Sequence, residues 1–119
     1  MNKEQLLSSE IRKIENRLAA RKALFCKVLL KQQDGHIHTA KTCDISIGGM
    51  AIIAEFNPPS GHVYALQFSV QPAGEAPHLL QLQAQVMHSI LAKDGFRVGL
   101  RFVTPDAQAK ALIQRFVDS

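Results

Sequence analysis

Leu79-Leu-Gln-Leu-Gln-Ala-Gln-Val-Met-His-Ser-Ile-Leu91 is the longest alternating run in the chain. Successive side chains of a β-strand point to opposite faces, so a period of two predicts a strand here. Leu80, Leu82, Ala84, Val86, His88 and Ile90 fall on one face; Gln81, Gln83, Gln85 and Ser89 fall on the other. The pattern recurs on both sides. Lys93-Asp-Gly95 turns the chain into a strand from Phe96 to Val103, with Phe96, Val98, Leu100 and Phe102 inward. Before the long run, Tyr64, Leu66, Phe68 and Val70 share a face of a strand from Val63 to Val70, closed by the loop Gln71-Pro-Ala-Gly-Glu-Ala-Pro77. Asn57-Pro-Pro-Ser-Gly61 separates it from what precedes, because proline removes ladder donors and these residues favour turns.

Further out, Leu24, Cys26, Val28 and Leu30 mark one face of a strand from Ala23 to Lys31. Asp34-Gly35 predicts a hairpin turn, being a dipeptide that tolerates positive φ at both central positions. The return strand spans His36 to Ser46, Gly48-Gly49 breaks it, and Met50 to Ala54 begins another. Thr104 as cap, Pro105 in the first helical position and Asp106 near the positive end of the dipole start a C-terminal helix. Its stripe of Ala109, Leu112, Ile113, Phe116 and Val117 would close one opening of a barrel. Leu7, Ile11, Ile14 and Leu18 predict a second helix over residues 3 to 20, with Arg17 to Lys22 either continuing it or linking it to the first strand. The expected fold is mainly β: a small six-stranded antiparallel barrel with an N-terminal and a C-terminal helix. Residues 1–22 form the helix and linker, and residues 23–119 the barrel with its closing helix.

At 119 residues, with 46% apolar and 20% charged, the chain suits one ordinary globular domain. The net charge of +4 favours an anionic partner only weakly, but its concentration between residues 10 and 31 could serve a phosphate ligand, a nucleic acid or a membrane surface. No apolar run reaches the roughly 20 residues of a membrane span. Met-Asn-Lys-Glu-Gln lacks a signal peptide's apolar core, so the expected compartment is the cytoplasm. Cys26 and Cys43 are isolated and read as free thiols in a reducing environment.

Two short stretches carry the chemistry. Arg17-Leu-Ala-Ala-Arg21 offers two planar forks four residues apart. Each fork can bond a phosphate, or the O6 and N7 edge of guanine, in bidentate fashion. Asp44-Ile-Ser-Ile-Gly-Gly49 offers a carboxylate for guanine N1–H and N2–H₂, then a hydroxyl for a phosphate or base. Gly48 and Gly49, if at positive φ, would turn the strand and bring backbone amides to an anion. Taken alone, RxxxR is ordinarily a solvated helix face, and DxSxxG serves equally well as a turn between strands.

In this order, on one small barrel, the pair resembles the RxxxR and (D/N)xSxxG signature of PilZ domains, bacterial receptors for cyclic di-GMP. The likeness covers residues 16 to 117, including the last strand, Gly95-Phe-Arg-Val-Gly-Leu-Arg-Phe102, before its helix. It implies Arg17 and Arg21 gripping guanine and phosphate, with Asp44, Ser46, Gly48 and Gly49 completing the pocket. Many members carry another arginine before RxxxR and take a stacked ligand dimer; here Asn16 stands in that place and leaves one or two ligands open. The resemblance also implies cyclic di-GMP as ligand with no cofactor, and a protein effector in motility, pili, biofilm or virulence control. The N-terminal helix is then a candidate for homodimerisation or for a lever.

Other classes fit less well. His36, His38, His62, His78 and His88 have no carboxylate or nucleophile partner in a catalytic pattern, so no enzyme is expected. His36 and His38 could begin a metal site, but no third ligand is spaced to complete it; a solvated edge pair is the plain reading. His88 interrupts an apolar face and is either a hydrogen-bonded core or rim residue, or a platform for the ligand's base. A nucleic-acid-binding barrel would need exposed aromatic pairs, and aromatics are only 6%. A ligand-independent interaction module is the remaining alternative.

Overall fold

The computed structural model describes residues 20–119. The helix expected over residues 3 to 20 therefore lies, but for its last residue, outside the described residues, as do Asn16 and Arg17. The described chain runs β1 (Lys22–Ala23), β2 (Lys27–Lys31), β3 (Ile37–Ile45), β4 (Gly49–Ala54), β5 (Val63–Val70), β6 (His78–Ala92), β7 (Gly95–Phe102) and α1 (Ala107–Asp118).

All strand pairs are antiparallel, in the order β1-β3-β2-β5-β6-β7-β4, and β4 also pairs with β3. Strands β2 to β7 thus form a closed six-stranded barrel, as the alternation predicts. Closure removes the unpaired edges that make small sheets sticky. The interior is filled by the predicted faces: Val28, Leu30, Tyr64, Leu66, Phe68 and Val70 from β2 and β5 are buried, and Leu80, Leu82, Ala84, Val86, Val98 and Leu100 from β6 and β7 meet them. Ala109, Leu112, Ile113 and Phe116 of α1 join the same core, with Val117 packed at its margin.

The strand expected from Ala23 to Lys31 is split in two. Thr42 is the cause. Its hydroxyl accepts from the Cys26 amide at 2.9 Å and donates to the Leu24 carbonyl at 2.5 Å. In the gap between β1 and β2, a side chain thereby replaces part of the ladder to β3. The hairpin before β3 is wider than a two-residue turn. Only Gly35 has positive φ, at 92°, while Asp34 uses its carboxylate to accept from the His36 amide at 2.9 Å. His38 is not a solvated edge residue: its ring stacks on Phe56 with centroids 4.0 Å apart.

The helix starts two residues later than expected. Thr104 is not the cap; it bends the chain at φ 39°, and Asp106 caps instead, its Oδ1 accepting from the Ala109 amide at 2.7 Å. At the other end, Lys22 Nζ donates to the Phe116 carbonyl at 3.2 Å and to Ser119 O at 2.8 Å, and lies 4.6 Å from the Phe116 ring centroid. A cation at a helix C-terminus complements both the dipole and the unpaired carbonyls.

Candidate ligand-binding site

Two β-bulges build the site. In β3 the register against β4 shifts between Thr42, opposite Ile52, and Asp44, opposite Ala51. Cys43 is the extra residue, so Thr42 points into the core while Asp44, two positions on, turns outward. In β6 the register against β7 shifts between Val86, opposite Leu100, and His88, opposite Gly99. Met87 is the extra residue there. A bulge inserts one residue and so reverses the facing of everything after it.

The expectation that His88 and Ile90 share a face with Leu80, Leu82, Ala84 and Val86 is thereby overturned. Both are exposed, and Ser89 takes the inward position opposite Val98. The two bulges also put the two displaced residues in line. Asp44 pairs with Ala51, Ala51 with Gly99, and Gly99 with His88. Three interstrand steps of about 4.8 Å span about 14 Å between the Asp44 and His88 backbones. The two residues between are small. A side chain added at Gly99 would collide with the His88 imidazole, which leans over that glycine.

At the Asp44 end, Arg21 enters just before β1, outside any helix or strand. Its Nε and Nη2 donate to Asp44 Oδ1 at 2.9 and 2.6 Å, and its Nη1 reaches Ser46 Oγ at 3.5 Å. Ser46 is buried, and Ile45 beside it lies wholly in the core. The Ser46 hydroxyl also accepts from the Gly49 amide at 3.3 Å, which closes the turn between β3 and β4. Arg97, outward on β7, donates through Nη2 to Asp44 Oδ2 at 3.4 Å.

Neither Gly48 nor Gly49 has the positive φ that the sequence suggests. Gly49 is required for closeness instead: a Cβ there would overlap the Leu100 carbonyl oxygen on β7. Gly48 is exposed and has open space where a side chain would go. Its carbonyl accepts from the Phe102 amide at 2.9 Å and ties the turn to the end of β7.

Arg21, Asp44 and Arg97 share the wall of an open groove of about 1190 Å³ that continues along the outer face past Lys41 and Cys43 to Phe25. Ser46, Gly49 and His88 lie outside that groove, so the motif sits at its rim rather than at its centre. The Cys43 thiol is held above its ordinary pKa by burial, with Arg97 opposing and Asp44 reinforcing the shift, so it stays protonated and is a poor nucleophile. Among the described residues there is no cluster of three or more His, Cys, Asp or Glu able to hold a metal. No helix among them is long and apolar enough to cross a membrane.

Arg97 is the residue that the sequence does not single out. An arginine outward on a strand reads as solvated charge, and only the pairing of β7 with β4, and of β4 with β3, brings it to Asp44.

The PilZ domain model matches residues 15–119, which is most of the chain. The chain belongs to the PilZ domain family. Solved structures share the fold at low identity. The Bacillus subtilis inhibitor of motility (MotI/DgrA) superimposes with a TM-score of 0.73 at 16% identity, covering 83% of this chain and 48% of that one. YcgR from Escherichia coli, solved in complex with c-di-GMP, gives 0.68 at 17% identity, covering 82% and 42%. A tetrameric PilZ domain protein from Xanthomonas campestris, self-assembled through a helical bundle, gives 0.52 at 20% identity, covering 96% and 57%. This PilZ chain thus spans less than half the length of the first two. No curated protein matches it by sequence.

Proposed function

We propose that this PilZ domain is a receptor for cyclic di-GMP and that the dinucleotide binds at Arg21, Asp44, Ser46, Gly48, Gly49 and His88, with Arg17 contributing from the preceding segment. The observation that carries the reading is the convergence of Arg21 on Asp44 and Ser46 from opposite ends of two motifs. Family membership and the c-di-GMP complex of YcgR support it. In the free protein the Arg21–Asp44 pair is partly exposed, with side chains 44% and 24% accessible. Such a pair contributes about 0–1 kcal/mol, so a ligand phosphate can take over the guanidinium at little cost. Asp44 is then released to accept from the guanine edge, and His88 offers a ring at the far end of the row.

The receptor has no catalytic step in this reading, works in the cytoplasm, and passes its signal to a protein partner. Arg21 and Lys22 are neighbours, one at the ligand and one on the end of α1. A shift of Arg21 towards the ligand therefore pulls on the helix. Amide hydrogen exchange at the last turn of α1 should change on ligand addition; unchanged exchange would contradict the coupling. The segment before Arg21 is the proposed place of self-association.

Isothermal titration with cyclic di-GMP, using GTP as control, tests the receptor reading. We expect saturable binding to cyclic di-GMP alone, with a stoichiometry that reports whether Asn16 admits a ligand dimer. A charge-assisted hydrogen bond contributes about 1.5–3 kcal/mol. Arg21→Ala should therefore weaken binding by about ten-fold or more, by the tenfold-per-1.4 kcal/mol relation, and leave the circular dichroism spectrum unchanged. Undiminished affinity in that variant would refute the assignment.

A further inference from the structure

We infer that Arg97, contributed by β7, is a second ligand-binding arginine of this site, holding a phosphate of the cyclic dinucleotide on the side of Asp44 opposite Arg21. The inference rests on the receptor reading above and assigns it a residue that lies in neither motif. Arg21 takes Asp44 Oδ1 with two donors at 2.9 and 2.6 Å, whereas Arg97 reaches Oδ2 with one donor at 3.4 Å. A contact of that length is weak for a charged pair, whose N–H···O distances normally lie near 2.7–2.9 Å. It is also the one hydrogen bond that the Arg97 side chain makes among the described residues. Four of its five N–H donors are thus uncommitted, and half of the side chain, 51%, is accessible.

The surroundings suit an anion better than they suit a structural ion pair. Arg97 stands between Ile53 on β4 and Ile90 on β6, its two cross-strand partners. Ile90 is there because the β6 bulge turned it outward, and it is 62% exposed. Apolar neighbours on both sides lower the local dielectric and strengthen a charge-assisted bond made between them. Arg21, just before β1, and Arg97, on β7, approach one carboxylate, leaving one positive charge in excess within a groove that both of them line. A cyclic dinucleotide presents two phosphodiester anions, and a planar fork is the donor that matches a phosphate. The missing cation at Asn16 is thereby made up from a different part of the chain.

Titration calorimetry on Arg97→Ala and Arg97→Lys, in the wild-type and Asp44→Asn backgrounds, separates a ligand contact from a support for Asp44. Asparagine is a residue that the family's motif admits at position 44, and it removes the ion pair. We expect Arg97→Ala to weaken cyclic di-GMP binding about ten-fold in both backgrounds, with Arg97→Lys intermediate because it keeps the charge and loses the fork. We also expect the slope of log affinity against log salt to be shallower for Arg97→Ala than for wild type, since one phosphate contact is gone. Unchanged or tighter binding by Arg97→Ala, an effect that vanishes in the Asp44→Asn background, or an unaltered salt slope would overturn the inference while leaving the receptor reading intact. A wild-type protein that takes no cyclic di-GMP would instead refute both.

Discussion

Gly49 and Gly99 lie on the same outer face and test two different things. At Gly49 the obstacle to a methyl group is the Leu100 carbonyl, which is backbone in a paired strand and cannot step aside. Gly49→Ala should destabilise the fold by about 1–3 kcal/mol, the usual cost of forced overpacking. For a domain of this size that lowers Tm by about 4 °C per kcal/mol, which differential scanning calorimetry would register. At Gly99 the obstacle is the His88 imidazole, a side chain free to swing into solvent. Gly99→Ala should therefore leave Tm almost unchanged and weaken cyclic di-GMP binding, because the ring is pushed off the row that leads to Asp44. A large loss of Tm with full affinity would show that His88 and Gly99 form a packing pair and nothing more.

At the level of elements, the β6 bulge separates what the sequence shows from what it hides. From Leu80 to Val86 the period of two holds, and Leu80, Leu82, Ala84 and Val86 lie inside the barrel as the alternation predicts. Beyond Met87 the same period points the wrong way. The extra residue is defined by the partner strand's register, and no feature of Val86-Met-His-Ser-Ile90 announces it. Asp44 is a milder case: counting back from Ile45, which is core, places it outward without knowledge of the Cys43 bulge. Arg97 is hidden for a third reason, since its partner is 53 residues away across two strand pairings. The end of the barrel is legible in kind but not in detail. The apolar stripe of α1 is where the 3.6-residue period puts it, while the cap moved from Thr104 to Asp106 because Thr104 is used to turn the chain. Asp106→Ala should cost about 1 kcal/mol of stability in chemical denaturation, as lost N-caps do, whereas Thr104→Ala removes no cap and should lack that penalty.

For the whole molecule, the loop after β5 is fastened to the closing helix through one carboxylate. Glu75 accepts from Arg115 Nε and Nη2 at 3.1 and 3.2 Å and meets His78 Nε2 at 3.1 Å. The hydrogen bond from Arg115 is the main reason that the Glu75 carboxyl titrates below its ordinary value of 4.5. A carboxyl with a depressed folded pKa contributes stability that is present above its unfolded pKa and is lost as pH falls through the folded one. The Tm of wild type should therefore exceed that of Glu75→Gln at neutral pH. The difference should begin to shrink below about pH 4.5 and disappear once Glu75 is protonated in both states; a difference that persists in acid would mean that the residue acts otherwise than through its charge.

The barrel's outer face, from Arg21 through Asp44 and Gly99 to His88, is the surface to which the proposed function commits. An amide chemical-shift titration of the ¹⁵N-labelled protein with cyclic di-GMP measures this directly. The account predicts perturbations concentrated at residues 20–23, 44–49, 88–90 and 97–99, carried on to the last turn of α1 through Lys22. Shifts confined to the opposite hairpin and loops around residues 32–36 and 57–62, or none from a folded sample, would contradict it.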